Sequence, residues 1–205
     1  MISTKIIILV LILILIVTPL TDNPKYVHML NVYNEPLGRC RDSIDDKLGS
    51  WDSGGRCSEL GGGVHQICYR NIANNANRFS ENTGQTDWSS ERGNNNHCVC
   101  LGAWSLYKAK INQGIIDDIK GEDEILKCDA IPNIALSKNY VDKFSKWNNN
   151  ELDDQIIDGV EGLVEECGKN AKTRIQYNNL IDNYCEFAKG VGRLENSKLY
   201  KQRCL

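Results

Sequence analysis

Twelve consecutive Ile, Leu and Val residues, Ile6 to Val17, follow a single Lys5, and no other run in the chain is as apolar. A cation ahead of an uninterrupted apolar block is the layout of a secretory signal or a signal anchor. A spanning helix needs about 20 apolar residues and at least about 17. Thr4 to Leu20 reaches that lower length. No Ala, Gly or Ser stands around Val17-Thr18-Pro19-Leu20-Thr21, so a signal peptidase finds a poor site. Residues 1–22 are therefore read as an uncleaved signal anchor, with a cleaved peptide and a secreted product as the alternative. Lys5 keeps the short end cytosolic. That leaves the bulk of the chain lumenal or external, attached to the membrane through residues 4–20.

Beyond this block the apolar positions change period several times. Lys25 to Tyr33 alternates as a short strand would, and Glu35-Pro36-Leu37-Gly38 reads as a turn. Residues 38–63 are rich in Gly and form a loop that needs staples. Val64, Ile67, Cys68, Ile72, Ala76 and Phe79 recur at helical spacing and predict a helix from about 64 to 79. A polar connection from Asn82 to Asn96 leads to a second helix at about 98–110, carrying Leu101, Ala103, Trp104 and Tyr107. Ile125 to Ile131, ended by Pro132, predicts a strand. Val141, Phe144 and Trp147 suggest one more helical stretch.

After Asn148-Asn149-Asn150 the pattern is cleaner. Leu152, Ile156, Val160, Leu163, Val164 and Cys167 form one stripe, with Gly168 as its expected stop. Ile175, Leu180, Ile181, Tyr184, Cys185 and Ala188 form a second, closed near Gly190. A short connection between them predicts an antiparallel helical hairpin, in which Cys167 and Cys185 could form a bridge or stand as buried thiols. The fold class expected is α+β: a small two-layer domain at 24–147 with short strands and two to three helices, an N-terminal hydrophobic helix, and a helical C-terminal extension at 150–205.

Composition narrows the function classes. The net charge is −3 and no basic stripe is present, so nucleic-acid binding has no electrostatic footprint. The acidic run Asp117, Asp118, Glu122, Asp123 and Glu124 reads as a solvated loop. No Asn-x-Ser/Thr acceptor occurs, so N-glycosylation is not expected.

Nine cysteines carry the remaining chemistry. In an exported chain they allow four bridges and one odd thiol. Cys40, Cys57, Cys68, Cys98, Cys100, Cys128, Cys167 and Cys185 are the disulfide candidates, in pairings the sequence leaves open. In a reducing compartment the same residues would be free thiols or metal ligands. His65, Cys68, Cys98 and Cys100 offer the imidazole and thiolate ligands that zinc takes. Cys98-x-Cys100, or Cys68 beside His65, could instead carry thiol chemistry. Neither pair has an orienting third residue in view, so no catalytic residue is assigned.

In order along residues 31–147 stand Asn31-Val32, Pro36-Leu37, Cys40, Cys57, the Gly-x-His-x-x-Cys element of Gly63, His65 and Cys68, then Phe79-Ser80. The Cys-x-Cys-x-x-x-Trp element of Cys98, Cys100 and Trp104 follows, and Lys127 to Pro132 closes the series. This series resembles domain-of-unknown-function family 2237, which occurs in bacteria, plants and large DNA viruses. The resemblance implies a small α+β domain and no assigned activity. Many of its members look cytosolic, so it does not imply disulfides. Where the family has Gly-Asp-x-Trp before Cys-x-Cys, this chain has Asn94-Asn95-Asn96-His97. The loop Gly84 to Ser89 also departs from the family's pattern. The expectation is a membrane-anchored structural or interaction module with a cysteine-rich external domain and an unidentified protein partner. A zinc- or thiol-dependent enzyme is the alternative.

Overall fold

A computed structural model describes residues 29–58, 65–70, 78–93, 95–117, 125–142, 146–147, 150–151, 155–189 and 191–205. The apolar block at 6–17 lies outside them, as do residues 25–28 of the expected first strand. None of the described helices is long and apolar enough to cross a membrane.

Among the described residues the architecture is α+β, with two small two-stranded antiparallel sheets and helices. Strand β1 (Ile67–Tyr69) pairs with β2 (His97–Val99), placing Ile67 opposite Val99, Cys68 opposite Cys98 and Tyr69 opposite His97. Between them come two short helices, α1 (Phe79–Asn82) and α2 (Trp88–Glu91). Helix α3 (Leu101–Asn112) leaves β2 directly. After two 3-10 turns, Cys128–Ala130 and Asn133–Leu136, come α4 (Lys138–Val141) and the second ladder, β3 (Lys146–Trp147) with β4 (Asn150–Glu151). The long pair α5 (Gln155–Asn170) and α6 (Arg174–Lys189) follows. The chain ends in α7 (Gly192–Glu195) and α8 (Lys198–Arg203).

Helix α3 is the pivot. Its first five residues, Leu101 to Ser105, are all buried, as are Tyr107 and Ala109, which is the pattern of a helix covered on most sides. It lies against α5 with almost no space between the backbones. A Cβ on Gly159 would fall 1.9 Å from the Ser105 hydroxyl, and one on Gly162 would fall 2.7 Å from the Lys108 side chain. The Trp104 indole N–H donates to the Gly159 carbonyl at 2.8 Å. Small residues on one helix therefore admit the largest side chain of the other.

The hairpin of α5 and α6 shares one hydrophobic core with the preceding elements, from Val32 through Trp104 to Leu163, Tyr184 and Leu199. Helix α6 also grips the turn at 31–35 with its polar face. Asn179 Nδ2 donates to the Tyr33 carbonyl at 2.8 Å and Asn183 Nδ2 to the Val32 carbonyl at 3.1 Å.

Several sequence expectations shift. The stretch read as a helix from 64 to 79 contains β1, and helical geometry begins only at Phe79. The three residues of β1, Ile67 to Tyr69, are all buried, so the strand is covered on both faces, which periodicity alone does not separate from a buried helix. Residues 71–77 of that expected helix lie outside the description. The helix expected at 98–110 starts at Leu101, because β2 takes His97 to Val99. The strand expected at 125–131 shrinks to one bridge, Leu126 with Tyr69, before the chain tightens into a 3-10 turn. Leu30 and Asn31 form isolated bridges to Pro36 and Pro132 rather than a strand. The helical stretch at 141–147 divides into α4 and β3, with Phe144 outside the description. Helix α5 runs two residues past Gly168, to Asn170.

Candidate functional site

The cysteines converge on the β1–β2 ladder. Cys68 and Cys98 face each other across it but do not bond to each other. Cys68 pairs with Cys40 and Cys98 with Cys57, so both strands are tied sideways to the Gly-rich loop. The two bridges are neighbours: the sulfurs of Cys40, Cys57 and Cys68 all lie within 4.8 Å of one another.

The loop that supplies Cys40 and Cys57 is built around Asp52. Its carboxylate accepts from the backbone N–H of Gly54 at 2.7 Å and of Arg56 at 3.1 Å, an Asx-type turn that brings Gly55 back onto the start of the loop. The Gly55 carbonyl then accepts from Cys40 N–H at 2.8 Å. Gly55 has φ of +78°, and a Cβ there would meet Arg41 at 2.8 Å, so only glycine fits. Asn96 Nδ2 donates to the Cys40 carbonyl at 2.7 Å. Arg92 forks onto the Asp46 carboxylate at 2.8 and 2.6 Å and holds it below the usual carboxylate range.

Beside the bridges opens a cleft of about 230 Å³ whose walls include His65, Gln85, Trp88, His97, Cys98 and Cys100. The His97 ring stacks on Trp88, with centroids 4.0 Å apart and planes 21° off parallel. Trp88 is fixed in turn by its indole N–H donating to Gln85 Oε1 at 3.1 Å. Burial drives the His97 imidazolium down to about 3, helped by the nearby charges of Arg92 and His65. The ring is therefore neutral at any ordinary pH. Its Nδ1 is buried and has no hydrogen-bond partner among the described residues.

Cys100 is the free thiol. It sits at the N-cap of α3, where its sulfur accepts from Ala103 N–H at 3.3 Å. Burial pushes the thiol up to about 12, so almost no thiolate is present at neutral pH. A helix N-terminus often activates a cysteine; here desolvation outweighs that help.

Two further bridges complete the set, Cys128–Cys167 and Cys185–Cys204. Cys167 and Cys185 neither bridge the hairpin nor stand as free thiols: each is paired outside it. Cys167 stands three residues before the end of α5 and Cys185 eleven into α6, an offset of eight residues or about 12 Å along antiparallel axes. Bridged Cα atoms lie within about 7 Å. Cys204, which had not been placed among the bridging residues, is paired, and Cys100, which had, is not.

Of the residues expected to hold a metal, Cys68 and Cys98 are committed to disulfides and Cys100 is a protonated cap. His65 and Cys100 share the cleft wall. Two residues carry contacts that their spacing does not advertise: Trp88, whose ring contact with His97 crosses nine positions, and Glu166, whose carboxyl accepts from Leu126 N–H. No family model matches the chain, and neither a curated protein nor a solved structure matches it.

Proposed function

We propose that this chain is a disulfide-stapled interaction module that works in an oxidising compartment, tethered to a membrane through residues 4–20. The observation that carries the reading is the set of four bridges. Between them they fasten the Gly-rich loop to the ladder, the 3-10 turn to α5, and α6 to the C-terminus. Stapling of this density belongs to exported domains. The membrane tether rests on the sequence of the first twenty residues, and the resemblance to family 2237 supplies the expectation of a small α+β domain without an assigned activity. The protonated state of Cys100 weighs against nucleophilic thiol chemistry in the cleft.

The test is to express the full chain through a secretory pathway, separate membranes by carbonate extraction, and alkylate before and after unfolding. We expect the chain in the carbonate-resistant pellet, with no cysteine modified in the native state and one, Cys100, modified after unfolding without reductant. Nine alkylatable thiols in a folded, exported product would overturn the stapled reading. A soluble chain lacking its first residues would replace the tether with secretion.

A further inference from the structure

We propose that the reduced chain holds one zinc ion through Cys40, Cys57, Cys68 and Cys98, and that the two neighbouring bridges are the oxidised form of that site. Zinc–thiolate bonds of about 2.3 Å arranged tetrahedrally place sulfurs about 3.8 Å apart. The sulfurs of Cys40, Cys57 and Cys68 already lie within 4.8 Å of one another, and the fourth, on Cys98, is bonded to Cys57. The Cys98 sulfur lies outside the 4.8 Å group of the other three, so on reduction it must rotate about Cα–Cβ to join them.

Backbone hydrogen bonds, besides the bridges, hold the segments that present them. Cys40 N–H is held by the Gly55 carbonyl at 2.8 Å and Cys98 N–H by the Gly49 carbonyl at 2.8 Å, while the Cys68 carbonyl accepts from Lys127 N–H at 3.0 Å. Cys57 follows Arg56, whose own carbonyl accepts from Asp52 N–H at 3.0 Å. All four cysteines are fully buried, which suits a closed structural site rather than an open catalytic one. The spacing hides it. The nearest two in sequence, Cys57 and Cys68, are 11 positions apart, so no short Cys-x-x-Cys signature exists. His65 and Cys100, expected as ligands from the sequence, have no part in this set.

The redox balance is simple. Two disulfides take four electrons from two equivalents of a dithiol or phosphine reductant; the four protons come from the dithiol or, with the phosphine, from the two waters whose oxygens end on the phosphine oxide, giving four thiols. Zinc then displaces the four protons. A disulfide-class oxidant reverses the sequence and releases the metal.

Cobalt(II) is the probe, because tetrahedral thiolate cobalt gives intense visible bands and zinc displaces it. The full chain is reduced with a phosphine, desalted without oxygen and titrated. One equivalent of cobalt should bind to the reduced chain and none to the oxidised chain. Cys57→Ser should lose that equivalent, and the control pair Cys128→Ser with Cys167→Ser should keep it. Zinc should also restore the helical circular dichroism of the reduced chain. Absence of the bands, their survival in Cys57→Ser, their loss in the control pair, or a reduced chain that stays unfolded in zinc would each overturn the site. The oxidised bridges are read separately by mass, so failure here leaves the exported-module reading standing, and the converse also holds.

Discussion

At the scale of single residues, two buried polar groups carry consequences that their sequence neighbourhoods do not advertise. Tyr33 donates its hydroxyl to the Cys167 carbonyl at 2.7 Å, in the core. That carbonyl belongs to the last turn of α5, and the Tyr33 hydroxyl ties it to the start of the chain's described part. Tyr33→Phe should cost about 0.5–1.5 kcal/mol in urea unfolding, because it removes a buried hydrogen bond; a change within error would mean that the bond contributes nothing net. Glu166 is the second group. Its Oε1 accepts from Leu126 N–H at 2.5 Å, with Lys108 and Lys169 nearby, yet burial dominates and pushes the carboxyl up to about 7 from 4.5. A carboxyl raised on folding binds its proton more tightly in the native state. Its contribution is complete below about pH 4.5 and is lost as pH rises through about 7. His97 runs the other way: held neutral in the fold, it contributes above about pH 6.5 and loses that contribution as pH falls towards 3. Glu166→Gln should isolate the first effect, gaining about 3 kcal/mol on wild type between pH 4 and pH 8, with the bridges intact. Parallel pH profiles for the two proteins would refute the assignment. None of this was legible in the sequence, where Glu166 stands beside Glu165 on what reads as a helix's ordinary acidic flank.

At the scale of elements, legibility followed period and length. The stripes of α5 and α6 were clear because sixteen residues repeat one spacing, and both helices start within three residues of the expected positions. The strands β1 and β2 were missed because three residues are too few to show alternation when both faces are buried. The place of α3 at the centre could not be read either, since a helix covered on most sides carries no stripe. What did mark it is a pair of glycines in α5, Gly159 and Gly162, which by helix propensity alone should not be there. Their role is close approach. Gly159→Ala would set a methyl 1.9 Å from the Ser105 hydroxyl and 2.7 Å from its Cα, so backbone must move. On propensity that substitution would stabilise α5 by up to about 1 kcal/mol; on packing it should destabilise by about 1–3 kcal/mol or more. Thermal unfolding distinguishes the two by sign. The double change Gly159→Ala with Ser105→Gly should recover part of the loss, because it removes the opposing side chain.

At the scale of the whole molecule, the bridges divide the work unequally, and the division can be tested. Cys128–Cys167 spans 39 positions and fastens the 3-10 turn to α5, while Cys185–Cys204 spans 19 and fastens only the last helix to α6. Loop-closure entropy alone gives about 4 kcal/mol for the first and about 3 for the second, a small difference. Position enlarges it. Cys167 sits one residue from Glu166 and accepts from Tyr33 through its carbonyl, so releasing Cys128 loosens the segment where the two halves of the core meet. The main packing partners of α8, by contrast, are α6 and α7. Replacing Cys128 and Cys167 together by Ser should therefore lower the urea midpoint of the whole domain and weaken hydrogen-exchange protection in α3 as well as α5. Replacing Cys185 and Cys204 together should leave protection in α3 unchanged and expose amides in α8 alone. Equal losses of protection in α3 from both pairs would mean that the C-terminal helices fold as one unit with the core, and that the two bridges act on the unfolded chain rather than on any local seam.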